Sequence, residues 1–220
     1  MNVYKYSLEL KEEVFFASKE INTLFSTSPA IGNYALVYAL GFCKSRYNQT
    51  EISYEEDFKK VNDKGLYITP AFIKEPKYSI FTFNALSDTY NNKMDRAQFN
   101  YPQKGEIKAL SIGTIGEGFI FSKETINKSY YVRLGKFMGK AKLICEKCSY
   151  EIVNEEQESF GYINAVDIND DFGIKSFELL NIQPVPLFKN LKGIGELYKI
   201  KTNSGIVYYP TNLKLGGLQW

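Results

Sequence analysis

The sequence predicts an α+β protein, with a ferredoxin-like half built on a mostly antiparallel sheet and a β-rich second half. One early helical pattern is outnumbered by many short strand patterns, and the two types do not alternate as they do in parallel βαβ proteins. The chain has 220 residues and is 44% hydrophobic, which is enough for one large domain with its own core. We therefore expect a single domain over residues 1–220, with an insertion at about 84–105 and a β-rich part from about 150 to 220.

The first elements have clear periodicities. Residues 3–10, VYKYSLEL, alternate between two faces and predict a half-buried strand, which VFFAS at 14–18 either continues or bends. Residues 29–41 begin with Pro, end with Gly and carry apolar side chains at helical spacing, so they predict a short helix packed on a sheet. The charged stretch 55–65 is interpreted as a surface connector.

The later chain consists of predicted strands. Asn-Ser-Gly at 203–205 predicts the turn of a hairpin. The acidic residues Glu151, Glu155, Glu156 and Glu158 indicate a solvated connector. The strands are expected within residues 66–72, 79–84, 116–122, 130–137, 139–147, 161–168, 196–202 and 205–210.

Residues 84–105 form a connection that is long for a compact domain. Folded as a hairpin, it would span roughly 30 Å, whereas a globule of this size has a radius of gyration near ~17 Å. The segment must therefore project from the body or wrap around it. Its cations suit phosphates and its rings suit base stacking, but a surface loop pinned by its own aromatic residues is an equal alternative.

Residues 128–147 form the one basic concentration in a chain whose net charge is only +2. Lys140 and Lys142 share a strand face, and pairing with the preceding strand would bring further cations into one stripe that could follow a nucleic-acid backbone. The alternative is an ordinary solvated face.

Several site classes are disfavoured by the residues themselves. The chain has no His, so His-based acyl-transfer triads and ordinary His zinc sites are excluded. Cys145 and Cys148 have ligand spacing without a second pair, and strand cysteines are a better interpretation than a zinc or redox site. The glycines of 111–119 indicate tight turns rather than a nucleotide loop, because a strand follows them.

Other acidic residues give no convincing catalytic pair. Asp167, Asp170 and Asp171 lie in or beside INDDFG, which is typical of a turn. The N-terminal stretch lacks a signal-peptide core, and no apolar run reaches the ~20 residues of a membrane span. We expect a soluble, cytoplasmic protein without a cofactor or metal.

Four stretches carry a family resemblance: YSLELKEEVFFASKEINTLF, IGNYALVYALG, TFNALSDTY with the NYP of residues 100–102, and VRLGKFMGKAK. Together they resemble the Cas-five-like (Csc-one) subunit of type I-D CRISPR interference complexes, a branch of the RAMP superfamily. The resemblance runs discontinuously from about residue 3 to 145 and is loose in the last third.

The resemblance implies a ferredoxin-type fold with a thumb hairpin at 84–105. It implies a subunit that binds the 5′ handle of the guide RNA (crRNA), caps the backbone filament of Cas-seven-like subunits and adjoins the large subunit. Contact with target DNA near the protospacer-adjacent motif (PAM) is a further implied role. The nucleic-acid-binding residues expected on this basis are Lys19, Tyr90, Lys93, Arg96, Phe99, Tyr101, Lys104, Arg133, Lys136, Lys140 and Lys142.

Catalysis separates two hypotheses. Some members of the wider family cut repeat RNA, often with a His, and this chain has none. We therefore expect a non-catalytic subunit. The alternative is a metal-independent endoribonuclease that uses Tyr101 with Lys104, or Tyr131 with Lys136. An assembly scaffold that never contacts RNA is a third interpretation.

Overall fold

The computed structural model describes residues 1–22, 24–43, 54–84 and 104–217, with the backbone alone for residues 84 and 104. Two sheets and two short helices make up this part of the chain. In the first half the elements are β1 (Asn2–Leu10), β2 (Lys19–Ile21), β3 (Leu24–Ser26), β4 (Ala30–Ile31), α1 (Asn33–Ala39), α2 (Tyr54–Asp63), β5 (Leu66–Ile68), β6 (Ala71–Phe72) and β7 (Tyr78–Asn84). In the second half they are β8 (Lys104–Leu110), β9 (Ile115–Ser122), β10 (Ser129–Leu134), β11 (Gly139–Glu158), β12 (Tyr162–Asn164), β13 (Gly173–Leu180), β14 (Leu187–Thr202) and β15 (Gly205–Pro210).

The main sheet has 11 strands and is antiparallel at every pairing. Strand β1 lies at its centre, between β9 and β11, and Tyr6 pairs with Gly118 on one side and Cys145 on the other. The alternation predicted for residues 3–10 is confirmed from residue 4 onward, because Tyr4, Tyr6, Leu8 and Leu10 are all buried; Val3, expected on the other face, is buried as well. Few helices and a mostly antiparallel sheet confirm the α+β class.

Gly118 allows Tyr6 to cross the sheet interior. The Tyr6 hydroxyl donates a 2.8 Å hydrogen bond to the carbonyl of Thr69, and a Cβ on residue 118 would overlap the Tyr6 ring. Gly113, in contrast, adopts a left-handed φ of 74° in the turn before β9. The turn interpretation is therefore confirmed for Gly113 and wrong for Gly118, which is needed for close packing.

The two helices cover one face of the main sheet. The predicted helix within 29–41 is confirmed as α1, which buries Tyr34, Leu36 and Val37 in the core of the main sheet. The prediction of a connector over 55–65 is wrong, because these residues form most of α2. This helix is amphipathic: it buries Phe58 and Val61, whose helical spacing is obscured by the charged residues around them.

A second, four-stranded sheet has the order β2-β3-β8-β7, in which β3 runs parallel to β8. Its β7 and β8 pair from Tyr78↔Leu110 to Asn84↔Lys104, so they are the two arms of a hairpin whose connection lies outside the described residues. A segment after β1 joins the two sheets: the backbone of Val14 bonds to that of Leu110. Residues 14–18 therefore bend away from β1 rather than continue it.

The C-terminal part of the chain extends the main sheet through the long strands β11 and β14. Strand β11 continues through the acidic residues 151–158, so the predicted connector there is wrong. Its glutamates lie beside cations of the neighbouring strand, as in the 2.9 Å ion pair of Glu156 with Lys192, which is its diagonal neighbour on β14. Strand β13 was not predicted either. The hairpin of β14 and β15 about residues 203–204 is confirmed.

Within the described ranges, no helix has the length and apolar content that crossing a membrane requires.

Candidate nucleic-acid interface

The outer surface of β10 and β11 carries three of the cations predicted from residues 128–147, namely Arg133, Lys140 and Lys142. Strand alternation turns Tyr130, Val132 and Leu134 toward the helices, and the ring of Tyr130 meets Phe42 edge-on at 6.2 Å. The intervening Tyr131 and Arg133 point to the opposite, solvent side. Tyr131 is 76% exposed.

The strand register brings the cations of β11 beside those of β10. Arg133 pairs with Lys140, and Tyr131 pairs with Lys142. Side chains directly opposite on paired strands have Cβ atoms about 4.5–5.5 Å apart, so the four residues form one patch. We call Tyr131, Arg133, Lys140 and Lys142 the outer stripe. The Lys142 ammonium lies 5.6 Å from the centroid of the Tyr131 ring, within cation–π range.

Glu12 partly neutralises one end of the outer stripe. Its carboxylate lies 3.1 Å from the Lys140 ammonium and 3.7 Å from the Arg133 guanidinium, and it accepts a 3.0 Å hydrogen bond from the Lys140 backbone N–H. That backbone hydrogen bond and the Lys140 ammonium hold the pKa of Glu12 below its usual value. Glu12 is 128 residues from Lys140 in sequence, so no local pattern could reveal it.

Lys136 lies in the turn that connects β10 to β11, not in a strand. The turn is fixed against the segment after β1, because the Lys136 N–H donates a 2.8 Å hydrogen bond to the carbonyl of Phe15. Gly135 and Gly139 sit so close to the backbone of Phe15 and Glu13 that a Cβ at either would overlap a carbonyl oxygen. The turn therefore has a defined position relative to both sheets.

Three exposed phenylalanines lie where this turn meets the small sheet. Phe81 of β7 is 41% exposed and Phe137 of the turn is 46% exposed; their ring centroids are 6.1 Å apart at 84°. Phe83, on the same face of β7, is 47% exposed, and its ring covers Gly105 in β8. We call Phe81, Phe83 and Phe137 the aromatic junction. Sequence reasoning missed this cluster, because a strand pattern alone does not show what lies opposite Phe81 and Phe83.

Lys19 lies on the other face of the small sheet. It pairs with Ser26, which pairs with Lys108, whereas Phe81 pairs with Ile107 on the opposite face. Lys108 was not predicted, and its ammonium lies 4.1 Å from the centroid of the Tyr78 ring. The structure therefore separates Lys19 from the aromatic junction.

The remaining predicted residues lie in the hairpin connection or at its end. Lys104 is the first residue of β8, and its backbone pairs with Asn84. The other five lie outside the described residues: Tyr90, Lys93, Arg96, Phe99 and Tyr101.

Cys145 and Cys148 are free thiols on β11. An odd spacing on a strand turns two side chains to opposite faces, which disfavours joint binding of one ion. Burial raises the pKa of the Cys145 thiol to about 11. Across the described part of the chain, no three Cys, Asp or Glu side chains converge as a metal site would require.

Asp167 is a buried carboxylate whose role sequence reasoning missed. It is 1% exposed and accepts hydrogen bonds from the Asn33 amide (2.6 Å), the Tyr67 hydroxyl (3.0 Å), the Gly216 backbone N–H (2.8 Å) and the Tyr34 hydroxyl (3.4 Å). Burial raises its pKa to about 7, although the four donors act in the opposite direction.

The predicted turn therefore holds for Asp170 and Asp171, while Asp167 joins α1, β5 and the C-terminal segment. Its donors come from distant parts of the chain, which is why the local sequence gave no sign of this role.

Comparison with known proteins decides the family. Residues 1–217 match the profile of the family described as type I-D CRISPR-associated protein Cas5/Csc1. The chain belongs to this family. The match extends through the last third, where the sequence resemblance is loose, and it confirms the type I-D CRISPR Cas5/Csc1 family assignment made from the motifs.

No curated protein matches the chain significantly. Among solved structures, one chain of a structure titled "Cryo-EM structure of the Type III-B Cmr-beta bound to cognate target RNA and AMPPnP, state 1" is similar at 11% identity and a TM-score of 0.45. The alignment covers 93% of this chain and 86% of that one.

Proposed function

We propose that this Cas5/Csc1 family member is a non-catalytic subunit of a type I-D CRISPR effector complex that holds the 5′ handle of the crRNA on the outer stripe. The observation that supports this most directly is the register of β10 and β11, which brings Arg133, Lys140 and Lys142 onto the same face as the exposed Tyr131 ring. The same residues would be dispersed if either strand slipped by one position.

The chemistry of the outer stripe suits single-stranded RNA. Cations spaced along paired strands contact successive phosphates, and the counterions released from the RNA make the binding salt-dependent. An exposed ring beside them offers a stacking surface for a base, which tolerates any base identity. Glu12 sets the boundary of this surface, because its carboxylate occupies the side of Arg133 and Lys140 that faces the segment after β1.

The frame that presents the stripe is consistent with a ferredoxin-like half. Strands β11, β1, β9 and β5 are neighbours in this order, and α1 and α2 lie between β1 and β5 in the chain. This is the strand order of a split βαβ arrangement, with β10 in place of a second helix. We propose that residues 1–220 act as one such domain, with the connection of the β7–β8 hairpin as its thumb.

The proposed assembly follows from the family. The subunit caps the backbone filament, contacts a Cas-seven-like subunit and the large subunit, and contributes contacts to target DNA near the PAM. It acts in the cytoplasm, where the complex meets foreign DNA.

Salt titration of RNA binding tests the proposal. Binding of the full chain to a short single-stranded repeat RNA is measured at several salt concentrations, for the wild type and for Lys142→Glu. We expect weaker binding by the variant, because the reversed charge repels the RNA backbone. The slope of log K against log salt should become shallower by about 0.7 for each phosphate that the variant no longer neutralises. Arg133→Glu should act in the same direction.

Lys175→Glu is the matched control, since it reverses an exposed charge on β13, away from the stripe. Equal binding by Lys142→Glu, Arg133→Glu and the control would contradict the placement of RNA on the outer stripe. Absence of RNA from a nuclease-free preparation of the assembled complex would instead favour a protein scaffold.

The non-catalytic assignment has its own test. Repeat RNA is incubated with the protein in a chelator, and we expect it to stay intact. In the structure the cation over the Tyr131 ring is Lys142 rather than Lys136, which supports stacking more than proton transfer by the pair proposed for an enzyme. Specific cleavage abolished by Tyr131→Phe would overturn the assignment.

A further inference from the structure

We infer that the aromatic junction is a second stacking site for unpaired bases, continuous with the outer stripe and separate from the thumb connection. The inference rests on the proposed function, because it describes where the same single strand goes after it leaves the stripe. It assigns a role to Phe81, Phe83 and Phe137, none of which was among the residues expected to contact RNA.

The ring geometry is the first support. Phe137 is anchored from behind by the buried Phe15, at 5.1 Å between ring centroids, and touches Phe81 in an edge-on contact. An edge-on pair leaves the face of at least one ring free for a planar group. Large apolar side chains at a bend between two sheets would ordinarily turn inward, yet these three remain 41–47% exposed.

Backbone constraints hold the rings in place. The turn carrying Phe137 is fixed by the Lys136 N–H to Phe15 hydrogen bond, and the ring of Phe83 lies over Gly105, where no side chain could fit. Ordered rings lose little conformational entropy when a base stacks on them. A site made of fixed rings therefore suits a flexible, single-stranded ligand.

The surrounding charge identifies the ligand as a polyanion. Lys136 adjoins Phe137 in the turn, and the Arg133 guanidinium donates a 3.0 Å hydrogen bond to the Met138 carbonyl at the other end of that turn. The aromatic junction thus adjoins the Arg133 and Lys140 end of the outer stripe, where Glu12 offsets part of the positive charge. A protein partner covering the same apolar surface would not need a row of cations leading into it, so we favour single-stranded nucleic acid.

Paired ligands test the inference. The full chain is titrated with a short single-stranded RNA and with an abasic strand of the same length and charge. For Phe137→Ala and Phe81→Ala we expect the RNA to bind about fivefold or more weakly, the lower limit for removal of one stacked base. Binding of the abasic strand and the salt slope should stay unchanged.

Phe177→Ala is the matched control, because Phe177 is equally exposed, at 46%, but lies on β13. If the wild type binds both strands and the junction variants lose nothing, or lose both equally, the inference is wrong while the proposed function stands. If the wild type binds neither strand, the proposed function itself fails. Loss of a protein subunit from the purified complex with RNA affinity intact would also overturn the inference in favour of a protein interface.

Discussion

The two faces of the β10–β11 pair differ in almost every physical respect. On the side of the helices, Val132, Leu134, Ala141 and Leu143 are buried in the core, at 5% exposure or less. On the other side, Tyr131, Arg133, Lys140 and Lys142 face solvent or are only partly covered. Because alternate residues of a strand serve opposite faces, one segment both closes the core and presents a cationic surface. Stability and ligand binding are therefore separable by substitutions at adjacent positions.

The largest expected effect comes from the buried face. Leu143→Ala should lower the free energy of unfolding by about 2–5 kcal/mol, because it removes a fully buried side chain and leaves a cavity. Chemical denaturation measures it. Lys142→Ala, one residue earlier and on the outer face, should lower the free energy of unfolding far less but should weaken RNA binding. If both substitutions destabilised the protein equally, the faces would not be separable.

A smaller effect should come from the buried carboxylate. Asp167→Asn should destabilise the fold by about 1–3 kcal/mol at low pH, because both oxygens of the protonated carboxyl can still accept a hydrogen bond, whereas an amide NH₂ cannot accept from the donor that faces it. Urea unfolding at several pH values, compared with the wild type, measures both the offset and its pH dependence.

The pH dependence has a definite sign. Asp167 has a pKa of about 7 in the folded chain and about 3.9 when unfolded, so the native state binds the proton more tightly. Its contribution to stability is complete below about pH 4 and falls as pH rises to about 7, by up to about 1.4 kcal/mol per pH unit. Asp167→Asn should remove this slope. Parallel pH curves for the two proteins would show that folding does not raise the pKa of Asp167.

The smallest effect on stability is expected for Glu12→Gln, which should strengthen RNA binding where Lys142→Ala weakens it. Its ion pairs with Arg133 and Lys140 are solvent-exposed, and such pairs contribute little to stability. The melting temperature should hardly change, whereas RNA affinity and the salt slope should both increase because two cations lose their neutralising partner. Weaker RNA binding by this variant would mean that Glu12 orients the cations rather than competing for them.

The sequence predicted the parts of the fold that depend on a local periodicity of apolar side chains or on turn residues. Residues 3–10 alternate cleanly because one face of β1 enters the core, and Asn-Ser-Gly marks its hairpin by turn chemistry. Helix α2 and the acidic end of β11 were misjudged for the same reason: charged residues dominate them, and their partners are elsewhere in the chain. Lys192 and Lys201, which neutralise that end of β11, are about forty to fifty residues away.

The candidate site divides in the same way. The alternation of side chains along a strand was enough to place Lys140 and Lys142 on one face. The pairing of β10 with β11 then brings Arg133 onto the same face. Neither could reveal Glu12, which meets Lys140 just beyond the end of the β1–β11 pairing, nor the contact of Phe81 with Phe137, which joins the small sheet to the β10–β11 turn. The thumb residues remain a prediction.

The glycines at the two ends of the β10–β11 turn affect the spacing between the outer stripe and the aromatic junction. Gly135 and Gly139 leave no room for a side chain between the turn and the segment after β1, so the backbone of the turn lies directly against that segment. The same segment bonds to β8 through the backbones of Val14 and Leu110, which links the turn to the β7–β8 hairpin. An RNA strand bound at both the outer stripe and the aromatic junction would therefore span a fixed number of nucleotides. An alanine at either glycine would push the turn away from the segment after β1 and so lengthen the distance between the two binding surfaces, although it changes none of the side chains proposed to bind RNA.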